Sequence, residues 1–140
     1  MRLALLSPIL CSTPPTHYGP RERSVSVLCE GLVARGVDVT LFARGDSVTR
    51  SKLVATGPVL PPHHVDDETR VWETVQAALL GEQSEEFDVI HSHCDWLPLL
   101  SRHLLRTPVI TTLYSPPSQS AVPFFRRNLG HNYYVATSSA

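Results

Sequence analysis

Two kinds of pattern alternate within the first 43 residues, and this alternation constrains the fold more than any other feature of the sequence. A short continuous apolar run over residues 3–7 is closed by Pro8, which is typical of a strand covered on both faces. Apolar residues then recur at helical spacing over residues 21–35, and Gly36 follows where a left-handed helix cap is favoured. A second β-rich run, VDVTLFA, fills residues 37–43. The pattern predicts a β-α-β unit.

The same alternation continues along the chain. A weak third strand is expected at residues 53–56, and the proline-rich breaker GPVLPPHH separates it from a helix marked by Val71, Val75 and Leu79. DVIHSH, LPLLSRHLL and PVITTLYS then predict strand four, a helix and strand five, and YYVATSSA predicts strand six after the loop PPSQSAVPFF. We therefore expect an α/β fold: a Rossmann-like, mostly parallel sheet with helices on both faces, in a single domain over residues 1–140.

Composition limits the partners of the chain. The 140 residues are 42% hydrophobic and 18% charged with a formal net charge of −1, which suits one core and gives no basic surface for nucleic acid. No window approaches the ~18 continuous apolar residues of a transmembrane segment. The three cysteines, Cys11, Cys29 and Cys94, are odd in number and far apart, which favours reduced thiols over a disulfide framework. We expect a cytoplasmic protein without a nucleic-acid partner.

The carboxyl ends of strands one and four are the expected site. Ligands of such sheets bind where the strand order reverses, so connections at residues 8–20 and 92–97 would face each other over a crevice. The first connection ends at a helix N-terminus, whose free N–H groups suit an anionic or hydroxyl-rich ligand. Its polar candidates are His17, Tyr18, Gly19, Glu22 and Arg23. The alternative is a turn whose side chains face water; we favour the ligand site because functional residues concentrate on loops carried by a rigid scaffold.

Several familiar sites are missing from the sequence. The long first connection has one glycine instead of G-x-G-x-x-G, and no G-x-x-x-x-G-K-[ST] occurs, which argues against dinucleotide binding and P-loop chemistry. Ser138 and Ser139 lie in no G-x-S-x-G elbow, and Cys94 lies on no nucleophile-bearing turn. Nucleophilic hydrolase chemistry is therefore not expected.

The stretch HSHCDW contains four residues of metal-ligand type, His91, His93, Cys94 and Asp95. His91 and His93 would share one face of a strand, but no further ligand has a recognisable spacing. Clustered polar residues at a strand end more often line a ligand pocket. We expect His93 and Asp95 to bind substrate and expect no metal; a metal-dependent hydrolase built on His91, His93 and Asp95 is the rival. Trp96 either stacks on a sugar or seals the next helix.

Five segments in order resemble the N-terminal domain of the retaining GT-B glycosyltransferases of family four: MRLALLSP, YGPRERSVSVLCEGLVARGVDVTLFARGDS, FDVIHSHCDW, TPVITTLYSPP and YYVATSSA. The resemblance implies a half of a two-domain architecture that holds a sugar or polyol acceptor. In that family a C-terminal domain grips the nucleotide-sugar through an E-x7-E motif, and no such second domain is expected within residues 1–140. A nucleotide-sugar partner is therefore expected only together with a donor-binding domain, and no cofactor is expected.

The resemblance also bears on two positions. The first loop of the family commonly reads G-Y-G-G-x-E-R, close to the donor phosphates and the acceptor; Gly19 and Glu22 match, whereas Pro20 replaces the second glycine. Proline has no N–H to offer a phosphate, although it starts a helix well. Tyr114 stands where the family carries a histidine beside the transferred sugar, and a phenol holds its proton far more tightly than an imidazolium. Tyr114 is therefore assigned to substrate binding, and the catalytic residues are left unknown.

Two functional hypotheses follow. The first is the acceptor-side domain of a retaining glycosyltransferase with a nucleotide-sugar donor, as a fragment or a truncated gene product that is inactive alone. The second is a non-catalytic sugar-binding or regulatory module derived from that domain, which Pro20 and Tyr114 suggest. Because the family's domain continues into further helices, an end at Ala140 would leave an apolar face uncovered. We therefore expect a homo-oligomer or a partner chain.

Overall fold

A computed structural model describes residues 1–59, 67–95 and 105–138. Its elements are β1 (Arg2–Leu6), α1 (Pro20–Ala34), β2 (Asp38–Ala43), β3 (Lys52–Ala55), α2 (Asp67–Gln83), β4 (Val89–Ser92), β5 (Val109–Leu113), α3 (Val122–Arg127) and β6 (Asn132–Ala136). The helix expected for LPLLSRHLL lies, apart from its last residue, outside the described residues. Within them, no helix is long and apolar enough to cross a membrane.

The six strands form one parallel sheet in the order β3-β2-β1-β4-β5-β6. β1 lies between β2 and β4, and Leu3 is opposite Val39 on one side and Val89 on the other. The chain thus builds outward from β1 in one direction and then returns to build outward from β4. The expected reversal of strand order between β1 and β4 is confirmed. At the edge, β6 exposes Tyr133 and Val135, and the expected partner chain or second copy stays a prediction.

Alternate residues of the central strands face two separate cores. Leu3 and Leu5 pack with α1 in one core, while Ala4 and Leu6 pack with α2 in the other. Because successive strand residues point to opposite faces, the two cores lie on opposite sides of the sheet. Helices therefore cover both faces, as the continuous apolar runs of β1 and β2 predict.

The C-terminus of α1 is closed by the expected glycine. Gly36 has φ of 79°, in the left-handed region that glycine adopts without steric cost. Its N–H donates to the carbonyl of Val33 at 3.0 Å, and the N–H of Val37 donates to that of Leu32 at 3.1 Å. This paired arrangement is the Schellman motif, and it turns the chain directly into β2.

Two local expectations need correction. The stretch PPSQSAVPFF is not entirely a loop, because α3 begins within it; Pro123 in the first turn of α3 loses no helical hydrogen bond there. The apolar stripe proposed for α2 is also misplaced. Val71 is 58% exposed, whereas Gln76 and Leu80 on the same helix are buried.

Gln76 is buried because it joins the carboxyl ends of four strands. Its Nε2 group donates to the carbonyl oxygens of Ser7 and Phe42, both at 3.1 Å, and to Oγ1 of Thr56 at 3.2 Å. Its Oε1 accepts from the thiol of Cys94 at 3.6 Å. These partners lie at the ends of β1, β2, β3 and β4 respectively. Gln76 thus fixes the edge of the sheet from which the connections leave.

We expect Gln76→Leu to lower the free energy of unfolding by about 2–4 kcal/mol, because each buried polar group left without a partner costs about 1–3 kcal/mol. Chemical denaturation monitored by circular dichroism measures this loss. Gln83→Leu, on the last turn of the same helix, is the matched control and should change stability by less than about 0.5 kcal/mol. Equal effects of the two substitutions would contradict the role given to Gln76.

Candidate functional site

The candidate site lies where the carboxyl ends of β1 and β4 meet. Leu6 and Ser92 are register partners, so the segments that leave the two strands start side by side. The N–H of His93 donates to the carbonyl of Leu6 at 3.0 Å, which holds the segment after β4 against β1 for one residue more. The convergence expected from the sequence is thus present.

A cavity of about 520 Å³ opens beside this junction. Its walls come from the connection after β1, the first turn of α1 and the N-terminal half of α2. Its ionisable lining residues are Cys11, Arg21, Glu22, Arg70 and Glu73, together with Tyr18. The volume is typical of small-molecule sites, and the two arginines and two glutamates give the wall no strong net charge.

Gly19 lies buried in this wall, directly before α1. A Cβ atom added to Gly19 would lie 2.8 Å from both the sulfur of Cys11 and Cβ of Pro15, closer than real Cβ atoms approach their neighbours. The φ angle of 169° is extended and open to any residue, so glycine is required here for space and not for conformation. Gly19 lets the connection after β1 pack tightly against the start of α1.

Pro20 is the first residue of α1, where its missing N–H breaks no helical hydrogen bond. The first intrahelical donor is the N–H of Arg23, which bonds the carbonyl of Gly19 at 2.9 Å. The helix terminus therefore offers a ligand one backbone donor fewer than a glycine in place of Pro20 would.

The side chain of Arg21 joins three parts of the site. Its Nη1 atom lies 2.8 Å from Oδ2 of Asp95, which follows β4. Its guanidinium carbon lies 5.1 Å from the ring centroid of Tyr114, which follows β5, in a cation–π contact. Both partners are residues that the sequence assigned to the site, and Arg21 connects them to the first turn of α1.

His93 and Tyr114 are linked by a short hydrogen bond. Nδ1 of His93 lies 2.7 Å from the Tyr114 hydroxyl, and His93 is only 4% exposed. Its ring contacts that of His91 in a tilted arrangement, with centroids 4.5 Å apart. Burial, and secondarily the neighbouring His91, lowers the pKa of His93 to about 3, so the imidazole is neutral near pH 7. Its Nε2 atom is buried and has no hydrogen-bond partner among the described residues.

Burial also favours the neutral forms of other groups in the site. Burial, reinforced by the charge and hydrogen bond of Glu22, raises the pKa of Cys11 to about 12. Burial likewise raises the pKa of Glu73 and that of Tyr114. A protonated thiol and a protonated phenol donate hydrogen bonds but are poor nucleophiles. The site therefore suits the binding of hydroxyl groups better than nucleophilic chemistry.

The residues predicted from the first connection differ in their exposure and in whether they line the cavity. Glu22 is buried at 4% exposure and lines the cavity, as Gly19 does. Tyr18 lies at the cavity rim and is 88% exposed. His17 and Arg23 are exposed, and Nη2 of Arg23 donates a hydrogen bond to the carbonyl of His17 at 3.4 Å. Ligand binding by these residues stays a prediction.

The residues predicted after β4 and β5 surround Arg21. His93, Asp95 and Tyr114 are brought together there, and their roles in binding also stay predictions. Trp96 lies outside the described residues, so the choice between its two proposed roles is open.

The side chains that the metal-dependent hydrolase would need as ligands have other partners. His91 and His93 share one face as expected, but one ring nitrogen of each contacts a hydroxyl group, and Asp95 pairs with Arg21. Cys94 is buried, which raises the pKa of its thiol. Among the residues that the structure describes, no three His, Cys, Asp or Glu side chains are grouped to hold a metal ion. The rival hydrolase has no ligand set in this part of the chain.

Three residues of the site were not found from the sequence: Arg21, Glu73 and Gln76. A helix start at Pro20 places Arg21 in the first turn, beside the crevice, and this start was the available signal. Glu73 and Gln76 are three residues apart on α2, and Leu80 follows at helical spacing. A polar pair that continues into a buried leucine on one helix face indicates that the face packs against polar strand ends.

Comparison with known proteins gives a family and a fold. The model of the family described as Glycosyltransferase Family 4 matches residues 22–138. AviGT4, a glycosyltransferase involved in avilamycin A biosynthesis, has a TM-score of 0.54 and 23% identity over 79% of this chain and 31% of its own. Sucrose-phosphate synthase from Thermosynechococcus elongatus has a TM-score of 0.59 and 19% identity over 81% and 33%. No curated protein matches. The chain spans about one third of these two structures, with which it shares a fold.

The low pKa of His93 predicts a loss of stability in mild acid. The unfolded chain takes up a proton on His93 below its ordinary pKa of 6.5, whereas the folded chain does so only near 3. The low pKa of His93 therefore leaves the free energy of unfolding undiminished above pH 6.5 and lowers it as the pH falls from 6.5 towards 3. The loss is about 2 kcal/mol at pH 5, because one pKa unit corresponds to about 1.4 kcal/mol.

Urea denaturation of the wild type and of His93→Gln at pH 7 and pH 5 measures this effect. The loss between the two pH values should be about 2 kcal/mol smaller in the variant. Burial lowers the pKa of His91 and raises that of Glu73, so both also affect the wild-type profile, but they cancel in the difference. Identical losses in the two proteins would contradict a buried neutral His93.

Proposed function

The chain belongs to Glycosyltransferase Family 4, and from this we propose that it is the acceptor-side domain of a retaining glycosyltransferase that uses a nucleotide-sugar donor. The acceptor is a sugar or another polyol, bound in the cavity beside β1 and β4. The donor is bound by a second domain, and the 140 residues alone do not catalyse transfer. The three free cysteines support a cytoplasmic location for this activity.

The cavity at the reversal of strand order is the observation that carries this proposal. It has the volume of a small-molecule site and lies where parallel α/β sheets bind ligands. Its wall alternates apolar surface with groups that bond to hydroxyls: the Cys11 thiol, the carboxylates of Glu22 and Glu73, and Arg70. Tyr18 at the rim offers an aromatic face to a sugar ring.

The same wall is poorly suited to the phosphates of a donor. Pro20 removes a backbone donor from the helix terminus, and Arg21 is already paired with Asp95. The carboxylates of Glu22 and Glu73 would repel a diphosphate at close range. Retaining transfer from a nucleoside diphosphate sugar needs electrostatic stabilisation of the departing diphosphate. We therefore assign the donor, and most of the catalytic machinery, to a partner domain.

A second candidate is a non-catalytic sugar-binding or regulatory module. Tyr114 favours this alternative, because burial raises the pKa of its phenol and its hydroxyl contacts His93. A group in this state holds its proton near pH 7 and is a poor acid–base catalyst. The two candidates share the cavity and differ in whether transfer occurs when a donor domain is present.

Incubation of the purified chain with nucleotide-sugars and a polyol panel, followed by mass spectrometry of the products, tests the proposal. We expect no transfer by the chain alone, because the described wall of the cavity is poorly suited to the phosphates of a donor. We expect transfer with retention at the anomeric carbon when a donor-binding domain of the same family is fused after Ala140, and proton NMR of the product measures the anomer.

The outcomes separate the candidates. Turnover by the chain alone would contradict the assignment of the donor to another domain. A fusion that binds the nucleotide-sugar and the polyol without transfer would favour the non-catalytic module. A fusion carrying Gly19→Val is the matched control, since a side chain at this position collides with Cys11 and Pro15 and should remove polyol binding while nucleotide-sugar binding persists.

A further inference from the structure

Glu22 places a buried carboxylate in the wall of the cavity. The residue is only 4% exposed and lines the cavity from the first turn of α1. Glutamates are almost never buried to this extent unless a cation or several hydrogen-bond donors face them, because the charge loses its hydration. We therefore looked for the group that compensates the charge of Glu22.

The arginines of the cavity wall are matched with other acids. Nη1 of Arg21 lies 2.8 Å from Oδ2 of Asp95. Burial raises the pKa of Glu73, and the positive charge of Arg70 beside it acts in the opposite direction. None of the ion pairs within the described residues includes Glu22. The wall has two arginines and two glutamates, but Asp95 engages one of the arginines, which leaves the charge of Glu22 in excess.

Two features of the chain offset this charge only in part. Glu22 lies in the first turn of α1, where the helix dipole supplies the equivalent of about half a positive charge. Burial, and then the charge of Glu22, raises the pKa of the neighbouring Cys11 thiol to about 12, so this group stays neutral near pH 7. A neutral thiol is a weak hydrogen-bond donor. The carboxylate of Glu22 thus lacks a charged donor.

The part of the wall that comes from α2 carries a second unpaired group. Thr69, in the first turn of α2, lines the cavity and is 8% exposed. Its Oγ1 atom is buried and has no hydrogen-bond partner among the described residues, whereas buried hydroxyl groups are almost always paired. Threonine on a helix has two favourable χ1 rotamers, so rotation about one bond can turn this oxygen towards a ligand.

A protonated amino group complements both features. It has one positive charge and three N–H donors, and it has no acceptor that an anionic wall would repel. Its charge matches the carboxylate of Glu22, and charge-assisted hydrogen bonds are the stronger class. A metal ion fits less well, because no three His, Cys, Asp or Glu side chains of the described residues are grouped to hold one. A neutral hydroxyl group would leave the charge of Glu22 unmatched.

We propose that the cavity binds an acceptor that carries a protonated amino group, with the carboxylate of Glu22 accepting hydrogen bonds from the ammonium and Oγ1 of Thr69 accepting one more. This inference rests on the proposed function, in which the cavity holds the acceptor. It adds the charge of the acceptor and the residue that selects it. An acceptor whose nitrogen is acylated or absent binds more weakly, because Glu22 then keeps no counter-charge.

NMR titration of the ¹⁵N-labelled chain tests the charge of the ligand. Glucosamine is compared at pH 6, at which its amine is protonated, with the neutral sugars glucose and N-acetylglucosamine. The amides of Gly19, Glu22 and Thr69 report binding in the cavity. We expect glucosamine to bind at least about tenfold more tightly than either neutral sugar, because hydrogen bonds to charged groups are the more stabilising ones.

Two variants test the residues. Glu22→Gln keeps the size of the side chain and removes its charge, so the preference for glucosamine over glucose should fall below about twofold. Thr69→Val keeps the shape and removes the hydroxyl, so glucosamine should bind about threefold to tenfold more weakly. Glu68→Gln is the matched control: it removes the same charge from an exposed position in the first turn of α2, outside the cavity wall, and should leave the preference unchanged.

The outcomes separate this inference from the proposed function. Equal affinity of the wild type for glucosamine and glucose would overturn the inference and leave the cavity as a site for neutral polyols. A preference for glucosamine that persists in Glu22→Gln would overturn the role of Glu22, and unchanged binding by Thr69→Val would overturn the second contact. No shift of the cavity amides with any of the three sugars would contradict both the inference and acceptor binding in the cavity.

Discussion

β1 pairs in parallel with β2 on one side and with β4 on the other, and this pairing determines where the candidate functional site lies. The strand order reverses between β1 and β4, and parallel α/β sheets commonly leave a ligand-binding crevice at such a reversal. The N–H of His93 continues the hydrogen bonding between β1 and β4 one residue past the strand. Arg21 then joins the first turn of α1 to this segment through its ion pair with Asp95. A strand inserted between β1 and β4 would carry Asp95 beyond the reach of Arg21.

The polar groups around the crevice are organised by burial more than by charge. Burial lowers the pKa of His93 and raises those of Cys11 and Tyr114, because the charged form of each would lose its hydration, and all three groups are neutral near pH 7. The remaining charges are balanced, since carboxylates accompany the arginines of the wall. A neutral site with hydrogen-bonding groups matches a hydroxyl-rich ligand. This physical character, together with membership of Glycosyltransferase Family 4, is the reason for our proposal that the acceptor and not the donor binds here.

Much of the fold could be predicted from local sequence. The apolar run of β1, the helical spacing before Gly36 and the β-rich run after it each report short-range physics: burial of a strand on both faces, an amphipathic helix and a left-handed cap. The order of these elements then leaves few ways to build a parallel sheet, so the neighbours of β1 could be inferred as well.

The residues that could not be identified from the sequence share a common cause. Apolar periodicity cannot report a buried polar residue, so the apolar stripe drawn through Val71 left Gln76 out, although its bonds to Ser7 and Phe42 explain its burial. Arg21 was missed because its partners, Asp95 and Tyr114, are distant in sequence and become neighbours only through the sheet. In both cases the deciding interaction joins elements that no local window contains.

The position of a bound polyol is the most direct test of this account. Crystals of the chain grown with saturating glucose should show density for the sugar between the connections that follow β1 and β4, next to Gly19, Arg21 and Glu73. A sugar bound at the opposite edge of the sheet, with this crevice filled only by water, would contradict the claim that the reversal at β1 and β4 creates the binding site.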